Sequence, residues 1–185
     1  MSSQDLFQYK DLIKLFNQLF LDATNTQLVK GDEEPIYLPK DETNSTHRVI
    51  FAHGFFASAL HEIAHWCLAG SKRRELVDYG YWYAPDGRDE QQQKAFEQVE
   101  VKPQAIEWAF SLACGKSFDV SIDNLSGVET DRRAFKENVF NQLTTYAKIG
   151  FPERAEQFIE TLRRFYKQPS IQNQLEELRC NENFV

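Results

Sequence analysis

The stretch ASALHEIAHWCLAG, residues 57–70, places two histidines and a glutamate inside an otherwise small and apolar run. The residues before it, RVIFAHGF, favour a β-strand over 48–52, which Gly54 closes. Ser58 then has the right chemistry to cap a helix over 59–69, ended by Gly70. A strand feeding a helix of this kind, with turn-rich short strands upstream and long helical patterns downstream, predicts an α+β fold. In that fold a small mixed β-sheet packs with several helices, and the H-E-x-x-H helix is central.

Upstream, Leu6, Tyr9, Ile13, Phe16 and Phe20 recur at steps of three or four residues, which predicts an amphipathic helix over 5–22. The next residues alternate β-favouring runs with Gly, Pro and acidic turns, predicting strands near 26–29 and 36–38. Downstream, SKRRELVDYGYWYAPDGRDE, residues 71–90, begins basic, passes through an aromatic run with strand character and closes in a Pro-Asp-Gly turn. A helical region over 89–114 follows, interrupted or kinked at Pro103, which lacks the N–H its turn needs. Residues 118–131 read as a loop with room for a short strand, ending in a capping Asp131. Helices over 132–148, 152–166 and 171–179 complete the chain, with Gly150 and Pro152 as punctuation.

With 185 residues, 42% of them hydrophobic and 14% aromatic, the composition is that of one folded domain spanning 1–185. The formal charge of −7 repels nucleic acid and membrane surfaces and favours a cationic or neutral partner. No apolar run approaches the ~20 residues of a bilayer span, and the N-terminus has no signal-like pattern. Cys67, Cys114 and Cys180 are odd in number, far apart and without C-x-x-C spacing, which indicates reduced thiols and a cytoplasmic setting.

His61 and His65 are four residues apart, so a helix presents both imidazoles on one face to a single ion. Glu62 projects to the edge of the same site. There it can act catalytically, taking a proton from a metal-bound water, or it can orient a bound ligand. The plain alternative is a buried histidine pair bonded to backbone. Desolvating three ionisable groups without a strong partner is costly, and an ion supplies that partner.

A third ligand is then required. The metzincin continuation needs Gly at 68 and His at 71, where this chain has Leu68 and Ser71. His47 lies in a polar loop and His53 between strand and helix, so a carboxylate from a later helix is the better source. In KAFEQVEVKPQAIEW, residues 94–108, Glu97, Glu100, Gln104 and Glu107 form one polar stripe beside an apolar face of Phe96, Val99, Ile106 and Phe110. Glu100 is chosen for its place near the buried seam, with Glu97 second and Glu107 more solvated. A solvated charged face remains the alternative for all three. Two histidines and a carboxylate describe both a zinc hydrolase and a ferrous oxygen-activating site, and residue types alone do not separate them.

The stretches KGDEEPIYLPKDE (residues 30–42), the whole of 48–108 and FPERAEQFIETL (residues 151–162) closely resemble the bacterial elongation factor P hydroxylase family. The resemblance implies an oxidoreductase, a monooxygenase of the non-heme iron type. Its substrate would be the lysine of elongation factor P to which β-lysine has been attached, and O₂ its cosubstrate. It implies His61, His65 and Glu100, or Glu97 in its place, as metal ligands, with Glu62 as the motif glutamate. Fe(II) is the expected metal, with zinc or another divalent ion in purified protein. The implied fold is similar to a metal-dependent endoribonuclease fold of mixed α and β type. That fold usually carries a third histidine where this chain has Ser71, Lys72 and Arg73.

A β-lysyl-lysine side chain is long and cationic, which suits Asp78, Tyr81 and Asp86 as substrate contacts through charge pairing and cation–π interaction. The expected partner is elongation factor P, without direct nucleic-acid or membrane contact, and the chain is expected to act as a monomer in the cytoplasm. The competing reading is a zinc-dependent hydrolase, peptidase or RNase-like, with Glu62 as general base.

Overall fold

The computed structural model describes residues 6–79, 87–122 and 131–180, with only the backbone at Cys180. They form six helices and a three-stranded mixed sheet, as expected from the sequence. The chain divides into two compact units, Met1–Gly80 and Tyr81–Val185. Among the described residues no helix is long and apolar enough to cross a membrane.

The first unit opens with helix α1 (Tyr9–Thr24), whose buried stripe is Leu12, Leu15, Phe16 and Phe20. It stops where Asn25 turns left-handed and donates its N–H to the Phe20 carbonyl. Strands β1 (Thr26–Lys30), β2 (Ile36–Leu38) and β3 (His47–Phe51) follow, each within about a residue of its expected span. Their order is β1-β3-β2, with β3 central. It runs parallel to β1, pairing Thr26 with His47 through Lys30 with Phe51, and antiparallel to β2, pairing Ile36 with Ile50. Leu28, Val49 and Phe51 turn inward from this sheet. The Asn17 side chain of α1 accepts from the Leu28 N–H at 2.9 Å and fixes the helix to β1.

Helix α2 (Phe56–Leu68) begins three residues earlier than the sequence suggested. His53 (φ 51°) and Gly54 (φ 76°) make an abrupt reversal after β3, so the helix starts at once. A Cβ on Gly54 would also meet the Tyr9 ring at 3.2 Å. Ser58 is therefore not the cap. It lies inside α2, and its hydroxyl accepts from the Ala52 N–H at 3.0 Å, which ties the helix to the end of β3. The helix terminates at Ala69 in extended conformation rather than through a left-handed Gly70. A short 3₁₀ turn (Arg73–Glu75) leads to Asp78, which bridges to Tyr37 of β2 through two backbone bonds of 2.7 and 3.1 Å. The rest of the aromatic run expected as a strand, and its Pro-Asp turn, lie outside the described residues, as does 123–130 of the expected loop.

The second unit is helical: α3 (Glu90–Cys114), α4 (Arg132–Ile149), α5 (Glu153–Tyr166) and α6 (Ile171–Cys180). Asp89 and Gln92 form a capping box at the start of α3, with bonds of 2.8 and 3.1 Å, and Asp131 caps α4 through the Ala134 N–H at 2.9 Å. α3 runs unbroken through Pro103, contrary to the expected interruption. Pro103 is itself buried, and α3 packs against α4, α5 and α6, so tertiary packing offsets the missing hydrogen bond. Phe96, Ile106 and Phe110 are in the core, with Phe110 edge-on to Phe158 at 5.2 Å. Val99, expected on the same face, is 38% exposed.

Candidate metal centre

α2 supplies the two histidines by simple helical spacing. Its apolar residues Ala59, Leu60, Ile63, Ala64, Trp66 and Cys67 are buried, while His61, Glu62 and His65 lie half-buried. Ala57 is exposed and Leu68 half-buried, so the apolar envelope of the helix is narrower than the sequence suggested. Trp66 anchors the helix, packing edge-on against Phe16 (5.0 Å) and Phe20 (4.8 Å) of α1.

The Nε2 atoms of His61 and His65 stand 3.0 Å apart, with the rings inclined at 74°. Two nitrogen lone pairs at that distance repel unless a proton or a cation lies between them. Metal–imidazole bonds of ~2.1 Å meeting at roughly 90 to 110° span about 3.0 to 3.4 Å, so the pair fits two adjacent ligands of one ion. Imidazole nitrogen also suits zinc, iron and related divalent metals.

Glu62 and His65 share the wall of a small cavity with Tyr37, Trp66, Arg73 and Asp78. Asp78 is placed there by its bridge to Tyr37, and its carboxylate is paired with the Arg73 guanidinium. The Tyr37 hydroxyl donates to the Arg74 carbonyl at 2.8 Å, and the Arg74 guanidinium donates to the Ala69 carbonyl at the end of α2. The basic cluster thus complements a helix C-terminus and a neighbouring acid. Tyr37 had no signal in the sequence, because the β2–Asp78 bridge that places it here is a long-range pairing. Tyr81 and Asp86, the other expected substrate contacts, lie outside the described residues.

The remaining histidines are placed differently from the sequence reading. His47 is not in a loop but opens β3, where its ring stacks on Tyr37 and its Nδ1 accepts from the Lys40 N–H at 3.2 Å. Burial, with help from the Lys40 and Arg74 charges, holds its pKa below the ordinary histidine value. His53 is exposed at the turn, beside the Phe55 ring. Cys67 and Cys114 are buried, and burial pushes the Cys114 thiol up, which suits inert core residues.

In the second unit the carboxylates of α3 differ sharply in environment. Glu100 is 1% exposed, with its Oε2 3.4 Å from the Gln104 amide nitrogen. Glu97 is half-buried and accepts from Gln93 at 3.2 Å, while Glu107 is half-buried. Gln93 is in turn held by the buried Arg88, whose Nε donates to its oxygen at 2.9 Å and whose guanidinium lies over the Phe96 ring at 3.9 Å. Arg88 and Gln93 were not singled out from the sequence. A buried arginine looks like any other charged residue until its partners are known.

The family model described as elongation factor P hydroxylase matches residues 15–176, a span that takes in both α2 and α3. The chain belongs to the elongation factor P hydroxylase family. A relative from Haemophilus influenzae, named elongation factor P lysine hydroxylase, is 51% identical over 157 residues, covering 85% of this chain and 88% of its own length. Membership in this hydroxylase family agrees with the resemblance carried by residues 30–42, 48–108 and 151–162, all of which fall within the matched span.

Proposed function

We propose that this chain hydroxylates elongation factor P at the lysine already extended by β-lysine, using O₂ and a divalent metal, ferrous iron in the cell. The observation that carries this reading is the family membership over residues 15–176. His61 and His65 each offer an imidazole nitrogen and Glu100 a carboxylate oxygen, and these three are the proposed ligands, in preference to Glu97. The spacing of the histidine pair and the burial of Glu100 support that assignment. When bound, such a metal supplies the capacity to bind and activate O₂. In the overall reaction a C–H bond becomes C–OH, the other oxygen atom leaves as water, and a reductant outside the chain provides the two electrons.

The chain's own residues bind and orient the substrate. Glu62 faces the cavity beside His65, where its carboxylate holds an ammonium group of the substrate or takes up a proton. Asp78 stands in the same cavity wall, and Tyr81 and Asp86 complete the proposed contacts to the cationic side chain. The net charge of −7 favours this cationic ligand over nucleic acid or anionic membrane. The proposed enzyme acts as a monomer in the cytoplasm, with both units serving one activity.

The test is mass spectrometry of elongation factor P from cells lacking this protein. The modified lysine should be lighter by one oxygen atom, and an unchanged mass would overturn the reading. Zinc-dependent cleavage of peptide or RNA that disappears in Glu62→Gln would instead establish a hydrolase.

A further inference from the structure

Two glutamines of α3 are buried, and each stands one turn from a glutamate. Gln93 bonds to Glu97 and Gln104 to Glu100, but their anchoring differs. Gln93 is fixed by a side chain, Arg88. Gln104 is fixed by backbone: its oxygen accepts from the Ser121 N–H at 3.0 Å, and its nitrogen donates to the Ser121 carbonyl at 2.7 Å.

This double contact determines which way round the Gln104 amide sits. The Ser121 N–H must meet an oxygen and the Ser121 carbonyl must meet an N–H, so a flipped amide would lose both bonds. One amide hydrogen is thereby used, and the nitrogen's other hydrogen is the donor available to Glu100 Oε2 at 3.4 Å. An amide has no proton to lose. It offers the carboxylate a hydrogen bond without neutralising its charge, which an ammonium or guanidinium in the same place would do. Gln104 and Glu100 are each only 1% exposed, so this donor is not interchangeable with bulk water.

We propose that Gln104 is a positioning residue that sets the Glu100 carboxylate for the metal, with the Ser121 backbone as its anchor. The inference rests on the reading above in which Glu100 is a ligand. Groups that hydrogen-bond a ligating carboxylate fix its orientation, and their loss costs roughly 10- to 100-fold in metal affinity. The segment just after α3 thus acts on the site through one side chain. Gln93 serves as the internal comparison, since it makes the equivalent contact to the carboxylate not assigned to the metal.

The experiment uses the full chain, stripped of metal. Affinity for Co(II) and Zn(II) is measured by competition with a chromophoric chelator, and the visible spectrum of bound Co(II) reports coordination geometry. Gln104→Met keeps the length and burial of the side chain but removes the donor. Gln104→Asn keeps an amide that is too short to reach both partners, and it decides the matter if the Met variant does not fold. Both should bind roughly 10- to 100-fold more weakly with an altered Co(II) spectrum, while Gln93→Met keeps wild-type values. Glu100→Gln should lose affinity. A purely structural Gln104 would lower the thermal stability of the metal-free protein yet leave affinity and spectrum unchanged. That result, alongside a Glu100→Gln loss, overturns the positioning role alone. Wild-type affinity in Glu100→Gln overturns the ligand assignment and the positioning role with it.

Discussion

Replacing His65 by alanine removes one of two imidazoles whose Nε2 atoms are 3.0 Å apart, and the consequence divides into two measurable parts. Without metal, the variant loses a half-buried hydrogen-bonded side chain on a helix whose apolar residues stay in place, a cost of about 1 kcal/mol. For a chain of this length that lowers the melting temperature by roughly 2 to 4 °C. With metal, a wild-type protein held at a hundred times its dissociation constant gains about 2.7 kcal/mol, a rise of roughly 5 to 11 °C. Losing one of the three proposed protein ligands should bring the dissociation constant up to or above the metal concentration. The gain then falls to about 0.4 kcal/mol or less, a rise of only about 1 to 2 °C. Thermal denaturation with and without metal, under anaerobic conditions for Fe(II), separates the two parts. Glu100→Ala should abolish the metal-induced rise in the same way. Glu97→Ala, whose carboxylate is bonded to Gln93, should keep it. A metal-induced rise in His65→Ala equal to the wild type would refute the assignment of the histidine pair.

Three further outcomes follow from the surrounding structure. Trp66→Ala removes a side chain that is 3% exposed and packed on Phe16 and Phe20, so it should cost about 3 to 5 kcal/mol in urea denaturation; a loss below about 1 kcal/mol would show that α2 is not anchored there. Asp89→Ala breaks the capping box of α3 and should cost about 1 kcal/mol by the same measurement, with metal affinity unchanged. Asp41 accepts bonds from the Thr43 hydroxyl and from the Thr43 and Asn44 backbone N–H groups, which hold its carboxyl well below the usual carboxylate range. Its folded pKa is depressed, so its contribution is present above the unfolded value near 3.8 and is lost as pH falls through the folded value. The stability gap between wild type and Asp41→Asn should therefore be widest at neutral pH and close below about pH 4, and a gap independent of pH would contradict this.

Much of the fold was legible because its signals are local. The Phe16 and Phe20 positions of α1, the three strands and the Asp131 cap depend on neighbours within a turn or a pleat. The failures share a different cause. Ser58 has the chemistry of a cap, but the hydroxyl is taken by the Ala52 N–H, and the His53–Gly54 reversal starts the helix before it. Pro103 should break a helix in isolation, yet α3 is held on three other helices and continues. Val99 follows the apolar periodicity of α3 but faces solvent, since periodicity predicts a stripe and not its width. For Ser58 and Pro103, contacts outside the helix decided between options that the local sequence left equal.

The same division runs through the site. The histidine pair was visible because a four-residue step on any helix juxtaposes two side chains, whatever surrounds them. The sequence ranked Glu100 first only by its nearness to an apolar seam, because Glu97, Glu100 and Glu107 are one residue type at equivalent spacing, and burial separates them more sharply. Withdrawing a carboxylate from water costs several kcal/mol, so a chain keeps one in its interior only where a cation or a set of donors compensates. Glu100, at 1% exposure, carries the largest such cost of the three, while Glu97 and Glu107 keep part of their contact with water. Burial therefore argues for Glu100 on energetic grounds that spacing cannot supply. It also explains why the residue next along the stripe is a glutamine: a second carboxylate at 104, within reach of the first, would add repulsion where Gln104 adds a donor.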